Sequence, residues 1–533
     1  MTLWFATEGF TEDQREVLGR HFTNLEGPVF ALVNLPEVVK GALFARYSRT
    51  TKSLRRLFLD EFAEEIDEGG EMTSVGIERA EKLYDRVFVE YGDDSVAQLG
   101  GVHLACEQAS QLLAKALEWG RLAAYLEQST RYMRYDDMPG GRWRATVPPE
   151  LEGTDLEPSY RGYLDEVFGL YGEMFDPMYG WYERRFPQGA GDSDFVYRST
   201  ITAKTCDTLR VCLPAGTRSN VGIYATAQSY EQLLMRLSVH PLAEMRGYGA
   251  LMLEELRKVI PAFLKRVDVE DRGVAWARYW RSTREGIEEL AAKLAGSSTP
   301  EPRDEVTLVD FDPEGETKVA AAVLYASTDL PDDQLLGLAR EMSRDEREEL
   351  LRASVGDRGN RRHKPGRAWE RTGYRFDVLC DYGAFRDLQR HRPLTIEWQR
   401  LTSEHGHETP AEVDEAGMRD RWDRVMGAGR AMERSLLDAG FDDVAPYAVP
   451  MAFRIRFVMQ MTAREAMHLT ELRSQPQGHP TYRRVAQSMH RLISEVHPSI
   501  GGAFEHMSYE DVDLERLEAE RRTEAKRQAS EKS

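Results

Sequence analysis

Two short cationic segments, one in each half of the sequence, constrain this chain of 533 residues more than any other feature. One reads EQSTRYMRY at 127–135 and the other RHRPLTIEW at 390–398, and each follows a stretch whose apolar residues have helical spacing. A proline segment and then a helical stretch follow each of them, at Pro214 and at Pro450. This shared order predicts an internal duplication. Because each segment keeps basic residues that the other lacks, the sequence also predicts one site built from two unequal parts.

The length of the chain predicts two domains, because it exceeds what one hydrophobic core normally supports. A Gly-, Ser-, Pro- and charge-rich stretch at 296–305 predicts an exposed linker between them. We therefore place a first domain at 1–295, with an insertion near 155–190, and a second domain at 306–508. The charged tail at 509–533 lacks an apolar stripe, so we expect a solvated helix or a disordered segment there.

Charge and composition exclude several classes of function. The formal net charge of −20 opposes general binding to nucleic acid or to anionic membranes. No stretch approaches the roughly 20 apolar residues that a membrane helix needs, and the N-terminus does not resemble a secretory signal. The cysteines lack zinc spacing, so no metal site is predicted. We expect a soluble, cytoplasmic protein.

Apolar spacing predicts a mostly helical fold with some strands. Helical periodicity predicts helices over 102–117, 376–388 and 454–473. The apolar runs at 318–327 and 444–453 are interpreted as short strands or buried segments. The expected class is therefore α+β.

The first cationic segment has the residue types of a phosphate site. In an extended backbone Glu127, Ser129 and Arg131 lie on one face, because side chains alternate with a period of two. A guanidinium beside a hydroxyl suits a phosphate monoester, whereas Glu127 is better placed to fix Arg131 or to accept from a sugar hydroxyl. Taken alone, the segment is equally compatible with an edge strand that has a solvated charged face.

The second segment places Arg390 and Arg392 on either side of His391. Two guanidinium groups at this spacing can straddle a diphosphate, and the imidazole can stack on a planar ring or hydrogen-bond to it. The alternative is a basic cluster that complements the dipole at a helix C-terminus. Pro393 favours the first interpretation because it ends the helix where a functional loop would begin.

A third basic set lies on the stretch RIRFVMQMTAREAMHLTELR. Arg464 and His468 are four residues apart and share a helical face, and Arg473 follows five residues later. An ordinary surface helix would show the same spacing, so this set indicates a binding site only when it is considered together with the other two.

Together these residues resemble the flavin-dependent thymidylate synthase family. The hallmark of that family opens with Arg-His-Arg and closes with Glu-x-Ser-x-Arg-Tyr; here the second half keeps the opening and the first half keeps the close. The matching residues are Arg390, His391 and Arg392 for the opening, and Glu127, Ser129, Arg131 and Tyr132 for the close.

The resemblance continues downstream of the hallmark. LRVCLP is similar to an Ala-Arg-x-x-Leu-Pro segment of the family and gives Arg210 as the matching arginine. A family helix with Asn-x-Arg and a later Leu-Arg is similar to the third set. The residues that depart from the pattern are Trp119, Gly120, Thr226 and Gln228 in the first half, and Thr395, Arg400, Thr402, Pro446 and Thr462 in the second.

The resemblance implies a fold, an activity and an assembly. The fold would be two tandem repeats of a thymidylate synthase-complementing (ThyX-like) fold, helix-rich with small sheets. The activity would be FAD-dependent methylation of a uracil nucleotide, dUMP to dTMP, with methylenetetrahydrofolate and NADPH, at a composite site between the two halves. Family members are homotetramers, so a tandem chain would form a homodimer.

The resemblance also assigns roles to individual residues. Arg473 would polarise the uracil ring. The residues implied for the pyrimidine nucleotide monophosphate are Glu127, Gln128, Ser129, Arg131 and Arg210. Those implied for FAD are Arg390, His391, Arg392, Arg464 and His468. A His-x-Ser segment of the family has only weak counterparts, at Asp93 and Ser95 or at His363.

Two other functions remain open at this point. Because the hallmark is incomplete in each half, the chain could be a flavin- or nucleotide-binding protein of the same fold that has lost thymidylate synthase activity. It could also be a scaffold in which the arginines form solvated faces.

Overall fold

The computed structural model describes residues 8–47, 50–63 and 98–531. Helices dominate this part of the chain, and seven strands form two small sheets in it. The strands are β1 (Gly101–Ser110), β2 (Ala123–Glu127), β3 (Arg218–Thr226), β4 (Val306–Phe311), β5 (Gly373–Asp381), β6 (Thr395–Trp398) and β7 (Arg454–Thr462). The helices are Glu12–His21, Glu37–Tyr47, Leu54–Glu61, Gln111–Leu117, Leu156–Arg185, Asp194–Leu209, Ala227–Ser238, Ala243–Val259, Ala275–Ala295, Gly315–Tyr325, Asp332–Glu341, Arg344–Val355, Tyr382–Leu388, Ala411–Glu415, Arg419–Asp438, Ala463–Arg473, Pro480–Val496, Pro498–Gly501 and Leu517–Glu531. None of these helices is both long enough and apolar enough to cross a membrane.

The chain packs into two compact units that do not coincide with the two halves of the sequence. The first unit contains the described residues up to Glu107, together with Leu122–Glu127 and Asn220–Ser298. The second unit contains Gln108–Arg121, Gln128–Ser219 and the described residues from Thr299 onward. The second unit therefore draws on both halves. The predicted boundaries divide the chain by its sequence repeat and not by compact units, so they stay a prediction.

Antiparallel strand pairs occur in both sheets. In the first unit β2 pairs with β3, from Ala123 opposite Ala225 to Glu127 opposite Val221. In the second unit the strand order is β4-β5-β7-β6, and all three pairings are antiparallel. Along β5 and β7 buried and half-exposed residues alternate, so one face of this sheet packs on the core.

The helices predicted over 102–117, 376–388 and 454–473 are each a strand followed by a shorter helix, so these predictions were wrong in their first part. Residues 101–110, 373–381 and 454–462 form β1, β5 and β7. In β5 and β7 the buried positions recur every second residue, and this period of two decides the structure. The helical interpretation failed because apolar residues four apart satisfy both periods.

Capping residues mark the points where strand becomes helix. The side chains of Ser110 and Asp381 accept hydrogen bonds from backbone N–H groups in the first turns of the helices that follow β1 and β5. Thr226 and Thr462 do the same after β3 and β7. The same strand-cap-helix unit thus occurs twice in each half, as a duplication requires.

The two proline segments pair with each other inside the second unit. Pro214 lies opposite Pro450 in an antiparallel bridge. On either side the Met451 N–H donates to the Leu213 carbonyl and the Ala215 N–H donates to the Val449 carbonyl, both at 2.9 Å. Equivalent positions that pair antiparallel are what a two-fold relation between repeats produces. The two halves are therefore interleaved in this unit.

The structure also shows the conformation of the two apolar runs, the predicted insertion and the charged tail. The apolar run 318–327 lies mainly in helix Gly315–Tyr325, whereas 444–453 is buried without forming a strand. The predicted insertion is largely the helix Leu156–Arg185. The tail forms helix Leu517–Glu531, which packs against helix Asp194–Leu209 rather than standing alone in solvent.

Candidate functional site

Four arginine side chains converge in the second unit, two from each half of the sequence. They are Arg131, Arg210, Arg390 and Arg473, and we call them the arginine cluster. Their common partner is Asp387, whose carboxylate oxygens lie 3.7 Å from Arg131, 4.0 Å from Arg210, 3.7 Å from Arg390 and 3.5 Å from Arg473. Residues predicted from separate segments thus share one carboxylate.

Asp207 is the second carboxylate of the cluster. Its Oδ1 lies 3.0 Å from Nε of Arg131 and 2.9 Å from Nε of Arg210, and its Oδ2 lies 3.0 Å from Nδ1 of His479. Asp207 precedes Arg210 by three residues at the end of helix Asp194–Leu209, so the two side chains are neighbours on its surface. Arg131 and Arg210 are only 7% and 4% exposed. This end of the cluster is therefore nearly dry.

The cluster has more cationic than anionic groups. Among the described residues, the four guanidinium groups face three carboxylates, those of Asp387, Asp207 and Glu118, the last 3.9 Å from Arg390. The ion-pair distances to Asp387 exceed the 2.7–2.9 Å typical of charge-assisted hydrogen bonds. In the part of the chain that the structure describes, Nε and Nη2 of Arg210 are buried and lack an aligned hydrogen-bond acceptor, although Nε is close to Asp207. Since buried charge without a partner is costly, this arrangement favours a bound anion.

The cluster shifts the pKa values of its members. Burial alone would raise the pKa of Asp387, but Arg390, Arg131, Arg473 and Arg210 outweigh it and hold that pKa far below the usual range for a carboxyl group. Burial lowers the pKa of Arg473, and the neighbouring cations Arg390 and Arg131 lower it further. The carboxylate thus stays ionised at any ordinary pH, and the cations are poorly solvated.

A chain of hydrogen bonds orients Arg473. Its Nε donates to Nε2 of His391 at 3.0 Å, and Nδ1 of His391 lies 3.0 Å from Oε1 of Glu465. Nη2 of Arg473 also donates to the backbone carbonyl of Asp387. Burial, together with Arg473 and His468, lowers the pKa of His391 well below its usual value. The neutral imidazole accepts from Arg473, so its Nδ1 carries the proton and donates to Glu465.

His391, Glu465 and His468 have ligand atoms within 4.8 Å of one another, a spacing that could hold a metal ion. Burial followed by Lys364 and Arg361 lowers the pKa of His468 to about 4. Both ring nitrogens of His391 already have protein partners, and cations surround the group, which opposes a metal ion. The prediction of no metal site stays a prediction.

Tyr482 contacts two members of the cluster. The guanidinium carbons of Arg131 and Arg473 each lie 5.4 Å from the centre of its ring, and Nη2 of Arg131 donates to its hydroxyl at 3.2 Å. Attraction between an aromatic ring and each of two nearby cations offsets part of their repulsion. Tyr482 therefore helps to hold the two guanidinium groups close together.

The other predicted residues are not among the four arginines of the cluster. Glu127 is buried in β2, in the first unit. Gln128 accepts from Ser219 through its carbonyl, and Ser129 is exposed. Arg392 is exposed, whereas Arg464 donates to the Pro365 carbonyl. His468 packs edge-on against His391, with ring centres 5.5 Å apart.

Sequence reasoning missed several members of the site. They are Asp207, Asp387, Glu465, His479 and Tyr482. The first two were detectable, because each precedes a predicted arginine by three residues, the spacing of an ion pair on a helix. Of the weak His-x-Ser counterparts, Asp93 and Ser95 lie outside the described residues, and His363 accepts from the Gly359 N–H in a loop.

Comparison with known proteins identifies related families and structures. The model of the family described as thymidylate synthase complementing protein matches residues 42–262 and 307–499. The match falls on one segment in each half, which confirms the predicted tandem repeat of this helix-rich fold.

Relatives match over nearly the whole chain. A UPF0159 protein of Chlamydia muridarum is 37% identical over 525 residues, which are 97% of this chain and 99% of the relative. A UPF0159 protein of Thermoplasma acidophilum is 29% identical over 514 residues, 91% of this chain and 99% of the relative. Among solved structures, a UMP/dUMP methylase, PolB, from Streptomyces cacaoi bound with 5-Br dUMP has a TM-score of 0.30 and 20% identity, covering 38% of this chain and 94% of that chain.

Proposed function

Because the chain belongs to the thymidylate synthase complementing protein family, we propose that it methylates a uracil nucleotide, converting dUMP to dTMP with FAD, methylenetetrahydrofolate and NADPH. The reaction site is the arginine cluster of the second unit. The observation that carries the proposal is the buried excess of cationic groups, to which each half of the sequence contributes two arginines. A phosphate monoester supplies the negative charge that this cluster lacks.

Arg131 and Arg210 hold the nucleotide phosphate. Both side chains are buried, and two donor nitrogens of Arg210 lack an aligned acceptor among the described residues. Phosphate oxygens would satisfy these donors and offset the repulsion between the two guanidinium groups. Asp207 keeps the two arginines close together while the site is free of nucleotide.

Arg473 polarises the uracil ring. In a site that excludes water, a fixed guanidinium stabilises negative charge that develops on a carbonyl oxygen more effectively than it would in solvent. His391 and the Asp387 carbonyl accept from two nitrogens of Arg473 and so fix its orientation. Nη1 makes only a long contact of 3.5 Å with Oδ1 of Asp387, and its second N–H can face the substrate.

The residues near Arg390 fit an FAD diphosphate. The side chains of Arg390 and Arg464 are 35% and 36% exposed, and Arg392 is exposed, so all three guanidinium groups can reach a ligand. His391 and His468 are neutral near pH 7 because their pKa values are lowered by burial, and a neutral imidazole can pack on a flat ring. When bound, FAD supplies the hydride chemistry that no side chain can perform.

Titrations and turnover test the proposal directly. Purified protein should take up FAD, bind dUMP, and oxidise NADPH only when nucleotide and methylenetetrahydrofolate are present, with transfer of a labelled carbon to dUMP. Arg210→Lys should weaken dUMP binding about tenfold, since lysine cannot make a bidentate contact. The control Arg352→Lys changes an arginine that is 76% exposed and should leave binding unchanged. Colourless protein that binds neither added FAD nor dUMP would refute the proposal.

A second candidate is a flavin- or nucleotide-binding protein of the same fold without methyl transfer. In its favour, Arg131 already donates to the Gln477 carbonyl and the Tyr482 hydroxyl and pairs with Asp207. A nucleotide phosphate would have to compete with these contacts. Binding of FAD and dUMP without product would support this candidate, and labelled dTMP would exclude it.

A further inference from the structure

Helix Ala275–Ala295 of the first unit carries an exposed apolar stripe. Along this helix six positions recur at alternating spacings of four and three, and five of them are apolar. They are Trp276, Trp280, Thr283, Ile287, Leu290 and Leu294. Of these, Trp276, Ile287, Leu290 and Leu294 are between 46% and 77% exposed. This alternation is the spacing of a coiled-coil seam, which a second helix normally covers.

The protein covers only the beginning of this helix. Ala277 is buried, and Nη1 of Arg284 donates to the Val239 carbonyl at 3.0 Å, at the end of helix Ala227–Ser238. By contrast, residues 287–295 are all exposed. A helical segment of this length is marginal in water unless its amphipathic face packs against something. The second half of the helix therefore favours a partner that covers the stripe.

The order of charges indicates what that partner is. The first half of the helix is basic and the second half is mainly acidic, with Lys293 as an exception near the end; the residues concerned are Arg278, Arg281 and Arg284, followed by Glu285, Glu288 and Glu289. This order opposes the helix dipole, so it costs stability in a single helix. A second copy packed antiparallel places its acidic half beside the basic half of the first. Parallel packing would place like charges side by side.

A two-fold axis near Glu285 brings the two stripes into register. Trp276 then lies level with Leu294 of the second copy, Trp280 with Leu290, and Thr283 with Ile287. On the outer surface Arg281 lies level with Glu289 of the second copy. Arg281 and Glu289 are both exposed, so both are available for this contact.

We propose that two copies of this chain associate through helix Ala275–Ala295, packed antiparallel on itself. The apolar stripe forms the centre of the contact, and the opposite charges of the two halves set its direction. This helix lies between the two segments that match the family model, 42–262 and 307–499. The contact is therefore built from a part of the chain that belongs to neither matched segment.

Sedimentation equilibrium of the full chain tests the proposal. Leu290→Lys should weaken self-association at least about tenfold, because a symmetric contact loses the leucine twice. The matched control is Leu251→Lys, on helix Ala243–Val259, because Leu251 is 59% exposed and Leu290 is 55% exposed. Both variants should keep the circular dichroism of the parent, and the control should keep its association. Parent protein that stays monomeric up to about 100 μM, unchanged association of a folded Leu290→Lys protein, or an equal loss in the control would overturn the proposal.

Charge reversal tests the antiparallel direction. Arg281→Glu should weaken association about fivefold at low ionic strength, because it places a second carboxylate beside Glu289 of the other copy. Adding Glu289→Arg to this variant should restore the affinity, since it recreates the pair with its charges exchanged. No effect of the single reversal, or no rescue by the double one, would refute antiparallel packing. These measurements report mass and change no member of the arginine cluster, so their outcome is independent of the proposed function.

Discussion

Replacing Asp387 by Asn removes the charge that the whole arginine cluster shares. Each of its four ion pairs spans 3.5 to 4.0 Å. At an effective dielectric constant near 20, one such pair is worth about 4 kcal/mol before desolvation and repulsion among the arginines are subtracted. Breaking a buried ion pair by removing one partner costs about 3–5 kcal/mol in measured cases. We therefore expect Asp387→Asn to lower the free energy of unfolding by about 3 kcal/mol at pH 7.

The pH dependence of this loss follows from the sign of the shift. The pKa of Asp387 is lowered in the folded state, so its stabilising contribution is complete above the unfolded-state pKa of about 3.9. Below that pH the contribution declines as the unfolded state takes up a proton more readily. The difference between variant and parent should be constant from pH 8 to about pH 5 and shrink in more acidic solution.

Urea denaturation followed by circular dichroism measures both effects. Asp438→Asn, at an exposed position near the end of helix Arg419–Asp438, is the control and should change stability little. Inorganic phosphate should stabilise Asp387→Asn more than the parent protein, because the anion replaces the missing carboxylate charge. A loss below about 1 kcal/mol together with equal phosphate responses would refute the reasoning.

Three other predictions address the surroundings of the cluster. Burial raises the pKa of Glu465 to about 7, so the folded state holds this proton more tightly than the unfolded state, and the free energy of unfolding should fall as pH rises from about 4.5 to about 7. Glu465→Gln should flatten this pH dependence in urea denaturation at several pH values. An unchanged pH dependence would contradict the raised pKa of Glu465. Glu515→Gln weakens a 2.6 Å pair with buried Lys204 and should speed hydrogen exchange in helix Leu517–Glu531, whereas unchanged exchange would mean that other contacts hold the tail. Sedimentation should show a mass about twice the 60.9 kDa of one chain, and a stable monomer would exclude the expected homodimer.

The convergence of the arginines could be predicted from the sequence because it depends on the types of residue in each segment and on the order of the segments. Arg131, Arg210, Arg390 and Arg473 were each chosen from a local segment, and the second unit brings all four to Asp387. The chemistry of a phosphate site requires several guanidinium groups, so segments that are ambiguous alone support one another. Their roles with substrate and cofactor stay predictions.

The residues that position the cluster were harder to find. Whether a carboxylate supports an arginine or faces solvent depends on tertiary burial, which local spacing does not contain. Asp387 ends up 15% exposed and shared, whereas Asp438, also near the end of a helix, is exposed. The strands were missed for a related reason, because β5 and β7 gain their order from pairing with each other across the sheet.

Fusion of the two repeats explains why each half keeps only part of the pattern. We align the two halves by their helix caps, matching Thr226 with Thr462 and Ser110 with Asp381, because each pair caps the same helix of the repeat. In this alignment the positions equivalent to the arginine cluster are Thr402 for Arg131, Pro446 for Arg210, Trp119 for Arg390 and Leu237 for Arg473. The equivalent set therefore contains no guanidinium group.

This asymmetry predicts one phosphate site per chain. In a symmetric dimer every substitution alters two sites at once, whereas in a fused chain one site can lose its arginines while the other keeps them. Calorimetric titration with dUMP should give one nucleotide bound per chain, and Arg131→Ala should abolish that binding rather than halve it. The exposed Arg352→Ala variant controls for general loss of positive charge. Two nucleotides per chain, or half of the binding retained in Arg131→Ala, would show that the second set of positions still forms a site.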